Sequence, residues 1–253
     1  MRSGGHFPKQ IQDLINAVGS NTSLPQDGVV FALELAIEEA VYEFFKIPEC
    51  QVDIENKNIT TFIRNLSAIE PGKTVSSNLK FPDIPFEMLS KNMIKLCSKL
   101  FARNLVLMES AHLYEKWKRN VHQVVEGVIH SVDDVKAEIH LGDNVQGLML
   151  KPEWVPKESA LYQKGALFWF YVSKIVQGKS AITVYLSRGS KNFPAMLLKE
   201  KLPWAHIRVV KRIRGEKTWL KSSALIDPEI IKALQRELKG EVIEIRKSDF
   251  AAV

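Results

Sequence analysis

A few groups of side chains have the types and spacing that chemistry needs. Glu109-Ser-Ala-His112 places a carboxylate and an imidazole at i, i+3 of a predicted helix, which is one half of a di-iron bundle site. Such a site needs a second copy and two further carboxylates, and the chain has no second copy. Asp133-Asp134 pairs two carboxylates but stands between two β-rich runs, and it reads as a hairpin turn. Glu34, Glu38 and Glu39 cluster on one predicted helix as a solvated face. No Walker loop, dinucleotide glycine fingerprint, zinc-ligand spacing or Ser/Cys triad signature occurs. The sequence therefore predicts no enzyme, no metal site and no cofactor. Cys50 and Cys97 stand alone and read as buried or bystander thiols.

The cations are distributed unevenly. Residues 1–120 hold 14 Lys+Arg against 14 Asp+Glu, residues 121–190 hold 7 against 7, and residues 191–253 hold 14 against 8. The whole excess of +6 lies in the last 63 residues, a pattern that suits an anionic partner.

The elements that must position these charges follow from periodicity. Val124–Val132, Val135–Gly142, Val145–Leu150, an aromatic run at 166–176 and Ala181–Arg188 are short, β-branched or aromatic segments separated by turns. They predict a five-stranded antiparallel barrel of the oligonucleotide-binding kind. Gly127 and Gly147 fall inside strands, where a missing Cβ permits sharp coiling. Before the barrel, amphipathic helices are predicted over 9–19 and from Pro25 to about Phe45. A hairpin follows (Gln51–Glu55 and Thr60–Ser67), then an irregular Ile69–Pro85. A long helix runs from about Phe86 to Arg119, with Leu89, Met93, Leu96, Leu100, Leu107, Ala111 and Tyr114 as its core stripe. After the barrel, strands His206–Ile213 and Thr218–Leu225, helix Pro228–Lys239 and strand Glu241–Arg246 form a small α/β unit. The fold class is multidomain α+β: an N-terminal α/β domain with a long helix (1–120), the barrel (121–190) and the small basic unit (191–253).

On this frame, Lys136, His140, Lys151, Lys164 and Arg188 are the barrel side chains expected to face RNA phosphates. Phe168, Phe170 and Val172 share one face of the fourth strand, and Trp169, Tyr171 and Ser173 share the other. One set fills the barrel. Trp169 and Tyr171 are expected outside it, covered by a neighbouring domain or available for stacking. In the tail, simple alternation puts Arg208, Val210, Arg212 and Arg214 on one strand face, with Val209, Lys211 and Ile213 on the other. Arg208, Lys211, Arg212 and Arg214 are the expected phosphate contacts. No apolar run reaches the length of a membrane span and the first residues lack a signal-type apolar region, so a cytoplasmic location with no membrane partner is expected.

The order of elements resembles bacterial transcription elongation factors of the NusA type, and local stretches support the likeness. Leu24-Pro25 followed by Val30-Phe31-Ala32-Leu33-Glu34 is similar to the opening of that family's second helix. Val52–Asn65, with its Thr-Phe-x-Arg ending, is similar to its charged hairpin. Glu126-Gly127-Val128-Ile129 and Leu141-Gly142-Asp143-Asn144 resemble parts of its S1 domain. Thr183–Ser190, Met196-Leu197 and Leu202-Pro203 resemble the passage into its first KH domain. The chain departs from the family in two ways. The Gly-x-(Arg/Lys)-Gly loop expected between Ile226-Asp227-Pro228 and Ala233–Ile245 is missing, and with it the clamp that holds nucleotide backbone in working KH domains. No second KH domain follows. The chain thus reads as a truncated, divergent relative. The resemblance implies a noncatalytic factor in which residues 1–120 bind RNA polymerase and the remainder binds single-stranded nascent RNA. Its role would lie in elongation, pausing, termination or antitermination, beside other transcription-complex factors. A ribosome- or translation-associated S1-domain RNA-binding protein is the alternative.

Overall fold

The computed structural model describes residues 22–46, 49–54, 56, 58–64, 78–80, 83–86, 89–142 and 145–248. The helix expected over 9–19 lies outside them. The chain divides into two compact units, Met1–His112 and Leu113–Val253. Among the described residues no helix is long and apolar enough to cross a membrane.

In the first unit, α1 (Gln26–Phe45) starts after Pro25, which stands at the N-cap with extended backbone. It ends at Lys46, whose left-handed backbone returns an N–H to the Tyr42 carbonyl. The helix buries Val29, Leu33, Ile37 and Val41 together with Ala32, Ala36 and Ala40. Small alanines let the helix lie close to strands β1 (Glu49–Asp53) and β2 (Asn58–Arg64), an antiparallel pair. Strands β3 (Asn78–Lys80) and β4 (Ile84–Pro85) both pair with β2. They occupy part of the segment expected to be irregular; each is so short that no periodicity could announce it. Glu34 and Glu38 are half-buried rather than fully solvated. Burial raises both carboxyls, and the neighbouring charges of Asp53 and Glu34 add to this.

Helix α2 (Lys91–Lys118) begins later than the sequence suggests. Its buried stripe in the first unit is Met93, Cys97, Phe101 and Leu105 beside Leu89, whereas Leu107 is exposed. Four-residue steps drift slowly round a helix of 3.6 residues per turn, and Cys97, read as a buried or bystander thiol, is buried in that stripe. Glu109 accepts hydrogen bonds from the Ser23 backbone N–H (2.9 Å) and hydroxyl (3.0 Å), which assigns it a tethering role. No group of three potential metal ligands occurs among the described residues.

The second unit contains a closed barrel. Its strands are β5 (Val124–Val132), β6 (Lys136–His140), β7 (Gln146–Leu150), β8 (Leu167–Gln177) and β9 (Ile182–Ser187), in the order β5-β6-β7-β9-β8. All neighbours are antiparallel except β7 and β9. That parallel closure corrects an all-antiparallel expectation and completes the OB arrangement. Ile129, Ile139, Met149, Phe168, Phe170, Val172, Val184 and Leu186 fill the interior, and Leu113 and Trp117 from the end of α2 join this core. Gly127 and Gly147 allow close approach. A Cβ on Gly127 would stand 2.5 Å from Ile139 Cγ2, and one on Gly147 would stand 2.4 Å from Leu186 Cδ1.

Beyond the barrel lie α3 (Phe193–Lys201), β10 (Ile207–Ile213), β11 (Lys217–Ser222), α4 (Pro228–Glu237) and β12 (Val242–Lys247). Asp227 caps α4 by accepting from the Glu229 N–H at 2.7 Å, with Pro228 in the first turn. The sheet order is β10-β11-β12, with β10 antiparallel and β12 parallel to β11. One sheet face, including Val209, Leu220 and Ile243, packs in a core with Phe193, Leu198, Leu234 and Leu238 of the helical side, and Val124 and Tyr171 of the barrel enter the same core.

Candidate nucleic-acid interface

The barrel interior is filled, so any ligand must use its outer face. Strand register arranges that face in rows. One row runs Ser131, Glu138, Leu148, Tyr185, Lys174 across the five strands, and the next runs Val128, His140, Gln146, Thr183, Val176. Tyr185 lies in the first row between Leu148 and Lys174, with the Lys174 ammonium 4.4 Å from its ring centroid. An aromatic face flanked by Leu148 and a cation is what stacking on a base requires. Alternation from buried Ile129 places His130 on the outer side, where its Nδ1 lies 3.1 Å from His140 Nε2, and a bulge between Ile129 and Ser131 brings Ser131 to the same side, opposite Glu138. One imidazole must donate and the other accept in that contact. Sequence reading missed Tyr185 and His130. Strand alternation alone marks Tyr185 as opposite in facing to Val184 and Leu186, so that signal was present. The same alternation puts His130 opposite in facing to Ile129, whereas the bulge that turns Ser131 outward leaves no mark in the sequence.

Lys136 belongs to this face, but it ion-pairs with Glu138 at 2.5 Å, and Glu138 also accepts from Ser131. The Lys136 and Ser131 hydrogen bonds hold the Glu138 carboxyl below the ordinary carboxylate value. His140 is exposed on the face, and Lys151 and Lys164 are exposed in the turns that follow β7 and precede β8. Asp133 closes the β5–β6 turn by accepting from the Val135 and Lys136 N–H groups, both at 2.8 Å.

The remaining expected phosphate contacts divide. Arg208 and Lys211 are exposed on the tail sheet. Arg188 and Arg212 are not available to a ligand, and both are corrected to structural roles. The Arg188 side chain has no exposed surface. Its Nε and Nη2 grip Glu158, the latter at 2.7 Å, and Nη2 also reaches the Glu237 carbonyl (2.9 Å). Nη1 donates to the Trp169 carbonyl (2.8 Å) and to Glu237 Oε1 (3.1 Å). Tyr162 donates its hydroxyl to Glu158 at 2.8 Å, and burial pushes that phenol well above its usual pKa. Arg212 pairs with buried Glu241 (2.8 Å) and donates to the carbonyls of Arg188 (2.7 Å) and Ser190 (2.6 Å). Burial pushes the Glu241 carboxyl up. The Arg212 hydrogen bond and charge, with Thr218 and the Gly215 N–H, outweigh that and hold it low. Arg214 donates to the Pro152 carbonyl at 2.6 Å.

A bulge between Val209 and Lys211 breaks the simple alternation expected along this strand. The extra residue moves Arg212 to the face of Val209 and Thr218, and Lys211 to the open side opposite Trp219. Trp169 is half-buried against the core of the tail, and Tyr171 is buried with its hydroxyl 2.9 Å from His122 Nδ1.

No family model matches the chain. Among solved structures, GSP13 from Bacillus subtilis is similar over 27% of this chain and 55% of its own, at 20% identity and a TM-score of 0.24. A multidomain protein with nucleic acid binding domains from Streptococcus pneumoniae is similar over 50% of this chain and 45% of its own, at 14% identity and a TM-score of 0.21. The chain spans about half the length of each of these two structures.

Proposed function

We propose that the chain is a noncatalytic RNA-binding protein whose second unit holds single-stranded RNA, and that it works as a transcription factor of the NusA type. The observation that carries the RNA-binding part is the outer barrel face: Tyr185 with Lys174 and Leu148, beside His130 and His140, on strands closed in the OB order. Such a face recognises the flat base and the backbone charge without needing a sequence-specific pocket. The transcription part rests on the collinear resemblance. In it, residues 1–120 dock on RNA polymerase, the second unit meets the emerging transcript, and the outcome is a change in pausing, termination or antitermination. The KH-like tail contributes no glycine clamp, because a single capped helix, α4, joins β11 to β12.

Purification of the tagged chain from bacterial lysate tests the partner. Recovery of polymerase β subunits is expected. Recovery of ribosomal subunits alone would replace this role with a translation-associated one and leave the RNA-binding reading standing.

A further inference from the structure

The tail sheet has a face that its helices leave open. Register places three rows on it: Arg208–Lys221–Arg246, Lys211–Trp219–Glu244 and Ile213–Lys217–Val242. Residues alternate across a strand, so these point away from the buried partners Val209, Thr218, Leu220 and Ile243. Five of the nine are cations and one is an anion. Lys217 and Arg246 share Glu244, at 2.9 and 3.0 Å. Among the described residues no carboxylate pairs with Arg208, Lys211 or Lys221. The Lys217 and Lys211 ammoniums stand 4.9 and 5.8 Å from the Trp219 ring centroid. At the β10 edge, Arg208 also borders a cleft of about 550 Å³ that Lys191 and Lys199 line.

Protection of sheet edges against aggregation explains charge on β10 and β12, the two edge strands. It does not explain β11, the central strand, which presents Lys217, Trp219 and Lys221 together. A tryptophan half-exposed in the middle of a cationic sheet face is poor packing and a good stacking platform.

We propose that this face is a second single-stranded RNA surface, separate from the barrel face, on which a base stacks on Trp219 while Arg208, Lys211 and Lys221 hold the flanking phosphates. The proposal rests on the RNA-binding reading above and adds a location to it. The shape of the contact is electrostatic and sequence-tolerant. Stacking uses the π-face that every base has, and phosphate contacts carry no sequence information.

The test is fluorescence anisotropy of the full chain with a labelled single-stranded RNA of mixed sequence, repeated across a KCl series. Each lost phosphate contact lowers the slope of log affinity against log salt by about 0.7, so K211Q/K221Q should lower it by about 1.4. Loss of one stacked base costs about 1–3 kcal/mol, so W219A should weaken binding about 5- to 150-fold at fixed salt. Thermal unfolding of each variant should match the parent, since these side chains sit outside the core. An unchanged slope in K211Q/K221Q together with unchanged affinity in W219A overturns the proposal. If Tyr185→Ala still weakens binding in that case, the RNA-binding reading survives. Absence of any RNA binding by the parent chain removes both. Loss of binding to an acidic protein, with RNA affinity untouched, also overturns it.

Discussion

Arg188 has five N–H donors, and the structure gives a partner to every one. Such a side chain is fixed, and its removal leaves Glu158 buried and unpaired. Arg188→Met should therefore cost about 3–5 kcal/mol of stability, measured by urea denaturation. R188M/E158Q should recover part of that loss, because the stranded charge goes with its partner. Glu241 makes a pH-dependent contribution of known sign. Its folded-state pKa is depressed, so its stabilisation is present above the unfolded carboxylate value and is lost as pH falls through the folded one. Tm should decline steeply below about pH 5, and E241Q should start lower and decline less over that window. On the barrel face, Tyr185→Ala should weaken single-stranded RNA binding by about 1–3 kcal/mol and leave Tm unchanged, because Tyr185 faces outward. A fall in Tm of comparable size would make it a packing residue instead.

At the scale of elements, the barrel closes tightly at glycine positions. Gly127 faces Ile139, whose branched side chain is stiff, and its Cβ would also stand 3.1 Å from the His140 carbonyl. Gly127→Ala should destabilise the second unit by about 1–3 kcal/mol, through overpacking rather than lost backbone freedom. Chemical denaturation followed by tryptophan fluorescence measures it. The barrel was legible as five strands with turns between them, since each carries alternating or buried apolar residues. The bulges in β5 and β10 were not legible, because an extra residue depends on how the partner strand's hydrogen bonds run. One bulge turns Ser131 to the outer face beside Glu138 and the other buries Arg212. The charge excess of the tail was visible, but which cations were free was not.

At the scale of the whole molecule, the barrel and the basic tail form one compact unit welded by Arg188, Arg212 and Arg214. The basic excess of the last 63 residues is thus partly spent internally. Cutting between residues 190 and 191 should strand Tyr171, Val124 and Arg188 without their cover. A 113–190 fragment is expected to unfold at lower urea than 113–253, and the longer piece should show coincident transitions by fluorescence and circular dichroism. Two separate transitions in 113–253 would show that the arginine network does not couple them.

The amino-acid sequence by itself determined the order of elements, the five-stranded barrel, the helix starts at Pro25 and Pro228, and the concentration of positive charge in the last 63 residues. Local periodicity and turn chemistry carry that information, and each acts over a few residues. Tertiary structure alone decided which arginines are spent on Glu158, Glu237 and Glu241 and which cations remain on open faces. An ion pair between residues 30 or 49 positions apart is set by how strands register and helices pack, and no local pattern records it. Alternation gave the outward facing of Tyr185, but strand register alone set Leu148 and Lys174 beside it and put Trp219 at the middle of the open tail face.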